Sequence, residues 1–133
     1  MTTNSSPSDE ARPIVYVVDD DEAMRASSAF LLRAGGLRAA TYANGTDFVA
    51  DLGRIEKGVI LLDIRMPGID GFEVLRLLSE GKVPWPVIVM TAHGDLDVAV
   101  EAMRLGAMDF LEKPFREEAV LVSLGHASKL LSQ

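Results

Sequence analysis

An apolar run that ends in a carboxylate constrains the fold of this chain more than any other feature. Residues 59–62 are all aliphatic, Asp63 follows them directly, and Pro67-Gly68 marks a turn soon afterwards. A run of this kind, bounded by turn residues, is typical of a strand buried inside a parallel sheet. Asp63 would then stand at the carboxyl end of the strand, where open α/β sheets bind their ligands. Taken alone, Asp63 could equally well cap the following turn.

Four further strand patterns alternate with helical patterns along the chain, at residues 14–18, 37–42, 87–90 and 108–111. Strands that alternate with helices predict a doubly wound parallel sheet with right-handed crossovers. The first predicted helix should turn one side towards the sheet. The side with the helical spacing of apolar and small residues consists of Met24, Ser27, Phe30, Leu31 and Ala34.

The composition narrows the classes of protein that fit. The chain has 133 residues, 48% of them hydrophobic, which suits one globular domain. Its net charge of −7 argues against a nucleic-acid surface and against docking on anionic lipid. The absence of cysteine excludes disulfides and thiolate zinc sites. We expect a polar, disordered tail at residues 1–12, no membrane-spanning segment and a cytoplasmic location.

Acidic, hydroxyl and amine side chains follow four of the five predicted strands. Because parallel strands point the same way, these side chains should meet at one edge of the sheet. Crowded carboxylates demand a cation, and hard oxygen ligands suit Mg²⁺. A carboxylate can also attack phosphorus to form an aspartyl phosphate, while an amine and a hydroxyl stabilise the phosphate oxygens. The pattern therefore predicts Asp-based phosphoryl transfer. The residues are Asp19, Asp20 and Asp21, then Asp63, Thr91 and Lys113.

Four motifs at the strand ends carry a family resemblance, namely Val17-Val18-Asp19-Asp20, the eight residues 61–68 around Asp63, Val89-Met90-Thr91-Ala92, and residues 110–115 around Lys113-Pro114. With them, from Pro13 to about Leu131, the chain resembles the receiver domains of two-component response regulators, and within them the FixJ-like branch. The resemblance implies a flavodoxin-like (CheY-like) fold over residues 13–133. That fold is a doubly wound, five-stranded parallel sheet of order 2-1-3-4-5 with helices on both faces.

The resemblance also implies a role for each matching position. Asp63 corresponds to the phosphoacceptor, Lys113 to the phosphate-binding lysine and Thr91 to the switch hydroxyl. Phe110 corresponds to the switch aromatic residue, which swings inward when Thr91 moves towards the phosphate. The implied cofactor is Mg²⁺, and its ligands would be Asp19, Asp20, Asp63 and the backbone carbonyl of Arg65. Asp21 stands at a variable position of the family, so it is not counted as a ligand.

The implied function is a phosphorylation-dependent signalling switch, which catalyses nothing beyond its own phosphorylation and dephosphorylation. The phosphoryl group would come from the phosphohistidine of a histidine kinase or phosphotransfer protein. The surface of the fourth helix, fifth strand and fifth helix would respond, through homodimerisation over residues 96–110 or through docking to another protein. Arg65 and His93, each two residues beyond a site residue, are predicted to flank the phosphoryl group and shield it from water; the alternative is that both side chains simply face solvent.

A rival hypothesis is a haloacid-dehalogenase-like phosphatase that uses Asp19 as its nucleophile in an Asp19-x-Asp21 motif. Thr91 and Lys113 would serve that enzyme too, but Asp63 and its turn would remain unexplained. A flavin-binding flavodoxin-like protein and a receiver-shaped module that is never phosphorylated are further alternatives. The sequence does not separate a stand-alone receiver from part of a DNA-binding regulator.

Overall fold

The structure is a computed structural model that describes residues 12–132. The predicted tail, residues 1–12, therefore lies outside the described residues except for Arg12. Within residues 12–132, five strands alternate with five helices, as the sequence predicts. They are β1 (Ile14–Val18), α1 (Glu22–Ala34), β2 (Arg38–Tyr42), α2 (Gly45–Asp51), β3 (Gly58–Asp63), α3 (Gly71–Glu80), β4 (Val87–Ala92), α4 (Leu96–Arg104), β5 (Asp109–Lys113) and α5 (Glu117–Leu131).

The five strands form one parallel sheet in the order β2-β1-β3-β4-β5. This order confirms the predicted flavodoxin-like topology. The strand β3 lies at the centre, and all six of its residues are buried. The strand β2 lies at one edge and is only partly buried, which explains its weaker hydrophobic pattern.

The sheet separates two hydrophobic cores because successive side chains of a strand point to opposite faces. On one face, Tyr16 of β1 and Ile60 of β3 pack with α2, α3 and α4. On the other face, Val17 of β1 and Leu61 of β3 pack with α1 and α5. Helices therefore cover both faces, so the alternation that the sequence predicts is confirmed at the level of packing.

The predicted inward side of α1 was wrong for three of its members, since Ser27, Phe30 and Ala34 are exposed. Phe30 has 75% of its surface accessible to solvent. The helix instead buries Ser28, Ala29 and Leu32. Leu32 packs into the core between β1 and α5, and the small side chains of Ser28 and Ala29 take little room beside it. Close packing, rather than the hydrophobicity of Phe30, decides the orientation of this helix.

Helix α3 begins directly against the end of the central strand because residue 71 is glycine. A Cβ atom at Gly71 would lie 2.7 Å from the Cα of Ile64 and 2.9 Å from the backbone oxygen of Asp63. The Gly71 N–H donates a 2.9 Å hydrogen bond to the backbone oxygen of Ile64. No helix within residues 12–132 combines the length and the apolar character needed to cross a membrane.

Candidate functional site

Three carboxylates converge at the carboxyl edge of the sheet, and we call Asp19, Asp20 and Asp63 the acidic cluster. Each offers a carboxylate oxygen, and these oxygens all lie within 4.8 Å of one another. The strands explain the convergence, because Val18 of β1 pairs in register with Leu62 of β3 and the acids follow directly. Asp19 is fully buried, Asp63 is 7% exposed, and Asp20 is open to solvent. The cluster has the oxygen chemistry that a hard divalent cation requires.

Lys113 brings a positive charge to this cluster from the end of β5. Its Nζ atom lies 3.3 Å from Asp19 Oδ2 and 3.5 Å from Asp63 Oδ1. The peptide bond between Lys113 and Pro114 is cis. Three predicted site residues from three different strand ends are therefore in direct contact, as the sequence predicts.

The pKa of Asp63 is raised from 3.8 to about 6. Burial is the largest cause, because loss of water disfavours the charged carboxylate. The positive charge of Lys113 opposes the shift, and the neighbouring carboxylate of Asp19 adds to it. Any further positive charge near Asp63 would stabilise the ionised form of its carboxylate. The electrostatics therefore favour a cation beside Asp63.

Thr91 presents a buried hydroxyl with no hydrogen-bond partner among residues 12–132. The residue is 3% exposed and lies on β4, next to the central strand. It follows Met90, which pairs in register with Asp63. An unpaired buried hydroxyl typically costs about 1–3 kcal/mol. Its retention beside the acidic cluster suggests a partner that arrives from outside the chain, such as an oxygen of a bound group.

Two supporting contacts were not predicted from the sequence. Arg25, in the first turns of α1, donates from Nη1 to the backbone oxygen of Asp19 at 2.9 Å. The Asp21 N–H donates to Asp19 Oδ1 at 3.0 Å, while the Asp21 side chain accepts from the Met24 N–H and caps α1. Asp21 is thus occupied as a helix cap. An arginine in the first turns after a strand end was the available signal for the Arg25 contact.

The structure places Arg65 and His93 in the loops that follow the site strands. The Arg65 side chain is 68% exposed, and its Nε atom lies 3.1 Å from Asp95 Oδ2. The His93 side chain is 86% exposed, and its Nδ1 atom lies 3.7 Å from Glu112 Oε2. Both side chains thus contact acids of neighbouring loops and strands. Their predicted place beside a phosphoryl group stays a prediction.

Phe110, the predicted switch aromatic residue, is partly buried on β5 and packs against the core shared by α2, α3 and α4. Its N–H donates to the side chain of its own neighbour, Asp109, at 2.8 Å. The second oxygen of Asp109 accepts a 2.7 Å hydrogen bond from the buried hydroxyl of Ser123 in α5. This link between β5 and α5 was not predicted from the sequence.

Comparison with known proteins gives the class of domain to which the fold and the acidic edge belong. Residues 15–124 match the model of the response regulator receiver domain family, and the chain belongs to that family. Its relatives include the transcriptional regulatory protein FixJ of Bradyrhizobium diazoefficiens, which is 42% identical over 113 residues. They also include the response regulator protein TmoT of Ectopseudomonas mendocina, which is 41% identical over 120 residues.

The chain spans about half the length of the curated relatives it matches. The aligned part covers 85% of this chain but 55% of that FixJ, and 90% of this chain but 54% of TmoT. The chain is thus similar to one part of a longer regulator.

Solved structures agree with the family. A crystal structure of FixJ-N superimposes with a TM-score of 0.85 at 40% identity, covering 88% of this chain and 94% of the other. Full-length FixJ from B. japonicum gives a TM-score of 0.84 at 41% identity, with 58% of that chain covered. The chain is therefore a receiver domain of the FixJ-like kind, a phosphorylation-dependent switch of two-component signalling. The phosphatase hypothesis with Asp19 as nucleophile finds no support in these comparisons.

Proposed function

We propose that Asp63 is the phosphoacceptor of this receiver domain and that Lys113 and Thr91 bind the phosphoryl oxygens. One observation carries the proposal: the ammonium group of Lys113 contacts two carboxylates from different strands, at the edge where β4 presents the buried Thr91 hydroxyl, which has no hydrogen-bond partner within residues 12–132. This set offers a nucleophile, a counter-charge and a donor, which phosphoryl transfer requires.

The proposed cofactor is Mg²⁺, held by Asp19, Asp20, Asp63 and the backbone carbonyl of Arg65. The fit rests on the acidic cluster, whose oxygens lie within 4.8 Å of one another, and on the raised pKa of Asp63. When bound, the ion would neutralise charge that develops on the phosphoryl oxygens.

In the proposed reaction an Asp63 carboxylate oxygen attacks the phosphorus of a phosphohistidine. The new O–P bond forms as the P–N bond breaks, and the bonding electrons return to the imidazole ring of the donor. Lys113 offsets the charge that Asp63 and the phosphoryl group share, and Thr91 donates its hydroxyl hydrogen to a phosphoryl oxygen. Arg65 and His93 approach from their loops and limit the access of water to the acyl phosphate.

The proposed partners are a histidine kinase or phosphotransfer protein and, after phosphorylation, a second copy of the chain. The movement of Thr91 and Phe110 alters the surface of α4, β5 and α5. On α4 that surface carries Leu96, Val100 and Met103, which are 61%, 58% and 41% exposed. Their i, i+4, i+7 spacing places them along one side of the helix, which suits an apolar contact between copies.

The receiver unit is proposed to comprise residues 13–133. It would work in the cytoplasm without binding nucleic acid or membrane, and would act on no substrate other than its own phosphoryl group.

Incubation with acetyl phosphate and Mg²⁺ tests the phosphoacceptor. We expect the mass of one phosphoryl group to be added and, after borohydride trapping and proteolysis, to map to Asp63. The Asp63→Asn variant should stay unlabelled, while Asp21→Asn, which alters a helix cap beside the site, should still be labelled. Labelling at Asp19, or none under these conditions, would refute the proposal.

A further inference from the structure

We propose that Asp95 has two alternative partners and that exchange between them couples the phosphorylation site to α4. In the present state its carboxylate holds Arg65. When a phosphoryl group on Asp63 attracts Arg65, Asp95 is released and caps the N-terminus of α4. The inference rests on the proposed function for its trigger, but the exchange itself is a property of this loop.

The first observation is that Asp95 does not cap its own helix. Three other helices of the described chain are capped by an acidic or amide side chain, which accepts a hydrogen bond from the backbone N–H three residues later. The pairs are Asp21 with Met24, Asn44 with Asp47 and Asp70 with Glu73. Asp95 stands at the same position of α4 and makes no such hydrogen bond. The residue type favours capping, so something else holds its carboxylate.

Arg65 is what holds it, because the Arg65 Nε lies 3.1 Å from Asp95 Oδ2. Arg65 stands two residues after Asp63, and its side chain is 68% exposed and therefore able to move. A phosphoryl group would be a stronger partner for a guanidinium group than one exposed carboxylate, because it carries more charge and more acceptor oxygens. The position of Arg65 thus makes the ion pair sensitive to chemistry at Asp63.

The backbone of Asp95 also differs from that of the residues that cap the other three helices. Its ψ angle is 54°, whereas the three capping residues are extended, with ψ of 114°, 163° and −178°. Capping of α4 by Asp95 therefore requires its backbone to rotate towards the extended region. Gly94, with a φ of 88°, precedes it and its N–H donates to Glu112 Oε2 at 2.9 Å. The Asp95 N–H also donates to the backbone oxygen of Ala92 at 3.1 Å, a bond that a rotation about the Asp95 ψ angle leaves in place. The Arg65 contact is the one that holds the Asp95 side chain.

The two arrangements are close enough in energy for such an exchange. An exposed ion pair contributes a factor of about two to five to an equilibrium, and a helix cap typically contributes about fivefold. Neither partner dominates, so a modest attraction of Arg65 towards the phosphoryl group shifts the balance. The cap would order the first turn of α4, which begins with the exposed Leu96 of the proposed contact surface.

Hydrogen exchange of single amides, followed by NMR on the full chain, tests the exchange of partners. The third residue after Asp95 is Val98, so its amide should become protected when Asp95 caps α4. With beryllofluoride and Mg²⁺ in place of the phosphoryl group, Val98 exchange should slow about fivefold. The amide of Glu73, which Asp70 caps, serves as an internal control and should not change.

Three variants separate the ion pair from the cap. Asp95→Asn keeps a capping oxygen but loses the charge that holds Arg65, so Val98 should be protected already without beryllofluoride. Arg65→Ala should have the same effect, because it releases the native Asp95. Asp95→Ala removes both partners, so Val98 should exchange fast in both states.

The inference is overturned if Asp95→Asn and Asp95→Ala give the same Val98 exchange rate, or if Arg65→Ala leaves that rate unchanged. These comparisons are made without a phosphoryl group or beryllofluoride, so they test the exchange of partners even if Asp63 accepts no phosphoryl group. Conversely, labelling of Asp63 together with unchanged Val98 exchange on beryllofluoride addition would overturn the inference and leave the proposed function intact.

Discussion

The ammonium group of Lys113 lies 3.3 Å from the carboxylate of Asp19, a side chain that solvent does not reach. Replacing Lys113 by Gln should leave Asp19 and Asp63 without their counter-charge. The removal of one partner from a buried pair is costly, but Lys113 is 23% exposed and part of the effect is screened. We expect a loss of about 1–3 kcal/mol in the free energy of unfolding. Urea denaturation in the presence of a chelator measures it.

The same experiment with Mg²⁺ should recover much of the loss, since the cation replaces the missing charge. Lys129→Gln provides the control, because this lysine lies exposed near the end of α5 and should change stability little. Equal destabilisation of the two variants would contradict the assignment of Lys113 as the counter-charge of the acidic cluster.

Asp63→Asn should stabilise the metal-free protein in a pH-dependent manner. The folded-state pKa of Asp63 is about 6, above the ordinary 3.8, so the folded protein binds a proton more tightly than the unfolded chain. Stability of the parent therefore falls as pH rises from about 4 to about 6, while the Asn variant lacks this loss. Its advantage should be near zero at about pH 4 and reach at most about 3 kcal/mol above pH ~7.

Chemical denaturation of both proteins across this pH range, with a chelator present, gives the difference directly. An advantage of Asp63→Asn that is as large at the acidic end of the range as at neutral pH would show that burial does not raise the pKa of Asp63.

Two buried hydroxyls should respond in opposite directions to their removal. Thr91→Val removes a hydroxyl that has no partner within the described chain and keeps the shape, so stability should rise by about 1 kcal/mol. Ser123→Ala removes a hydroxyl that donates to Asp109 at 2.7 Å, so stability should fall by about 1 kcal/mol or more. Thermal unfolding of the two variants beside the parent checks the signs.

The response to phosphorylation gives Thr91→Val a second test. Thr91→Val should still accept the phosphoryl group on Asp63 yet lose the dimerisation that depends on the movement of Thr91 and Phe110, because no hydroxyl is left to reach the phosphate. A Thr91→Val variant that is less stable than the parent would argue that this hydroxyl has a permanent partner.

Gly71→Ala should displace Asp63 although Gly71 is not itself a site residue. The added Cβ would meet the backbone of Ile64 and the backbone oxygen of Asp63 at less than 3.0 Å, so the end of β3 must shift. We expect lower stability and at least tenfold slower labelling of Asp63 by acetyl phosphate, because a small displacement of a nucleophile is costly. Gly125→Ala in α5 has open space around its Cβ and should be neutral or stabilising.

Val100→Glu should abolish dimerisation induced by beryllofluoride without lowering the stability of the monomer. Val100 is 58% exposed in the middle of the apolar side of α4, so a charge there is harmless until a second copy covers it. Light scattering at increasing protein concentration reports the dimer. Phe30→Glu changes an even more exposed apolar residue on α1 and should leave the dimer intact; loss of the dimer in both variants would move the interface elsewhere.

The sequence predicted the strands and the polar side chains at their ends because those signals are local. Residues 59–62 and the acids after two strands depend on burial and on strand direction, and parallel pairing then brings the ends together. The inward side of α1 was missed because small side chains, Ser28 and Ala29, fit the narrow space between the helix and the sheet. The spacing of apolar residues along the sequence does not show how narrow that space is. The Arg65–Asp95 pair was missed because it joins loops 30 residues apart, and Asp95 looks like an ordinary cap.

The contact between Lys113 and Asp19 closes a separation of 94 residues. It joins the end of the first strand to the end of the last, and the central strand with Asp63 lies between them. A nascent chain that has emerged only as far as β4 therefore contains the acidic cluster and Thr91 but not yet the positive charge of Lys113. During synthesis the contact between the acids and Lys113 should therefore form last, when the fifth strand joins the sheet.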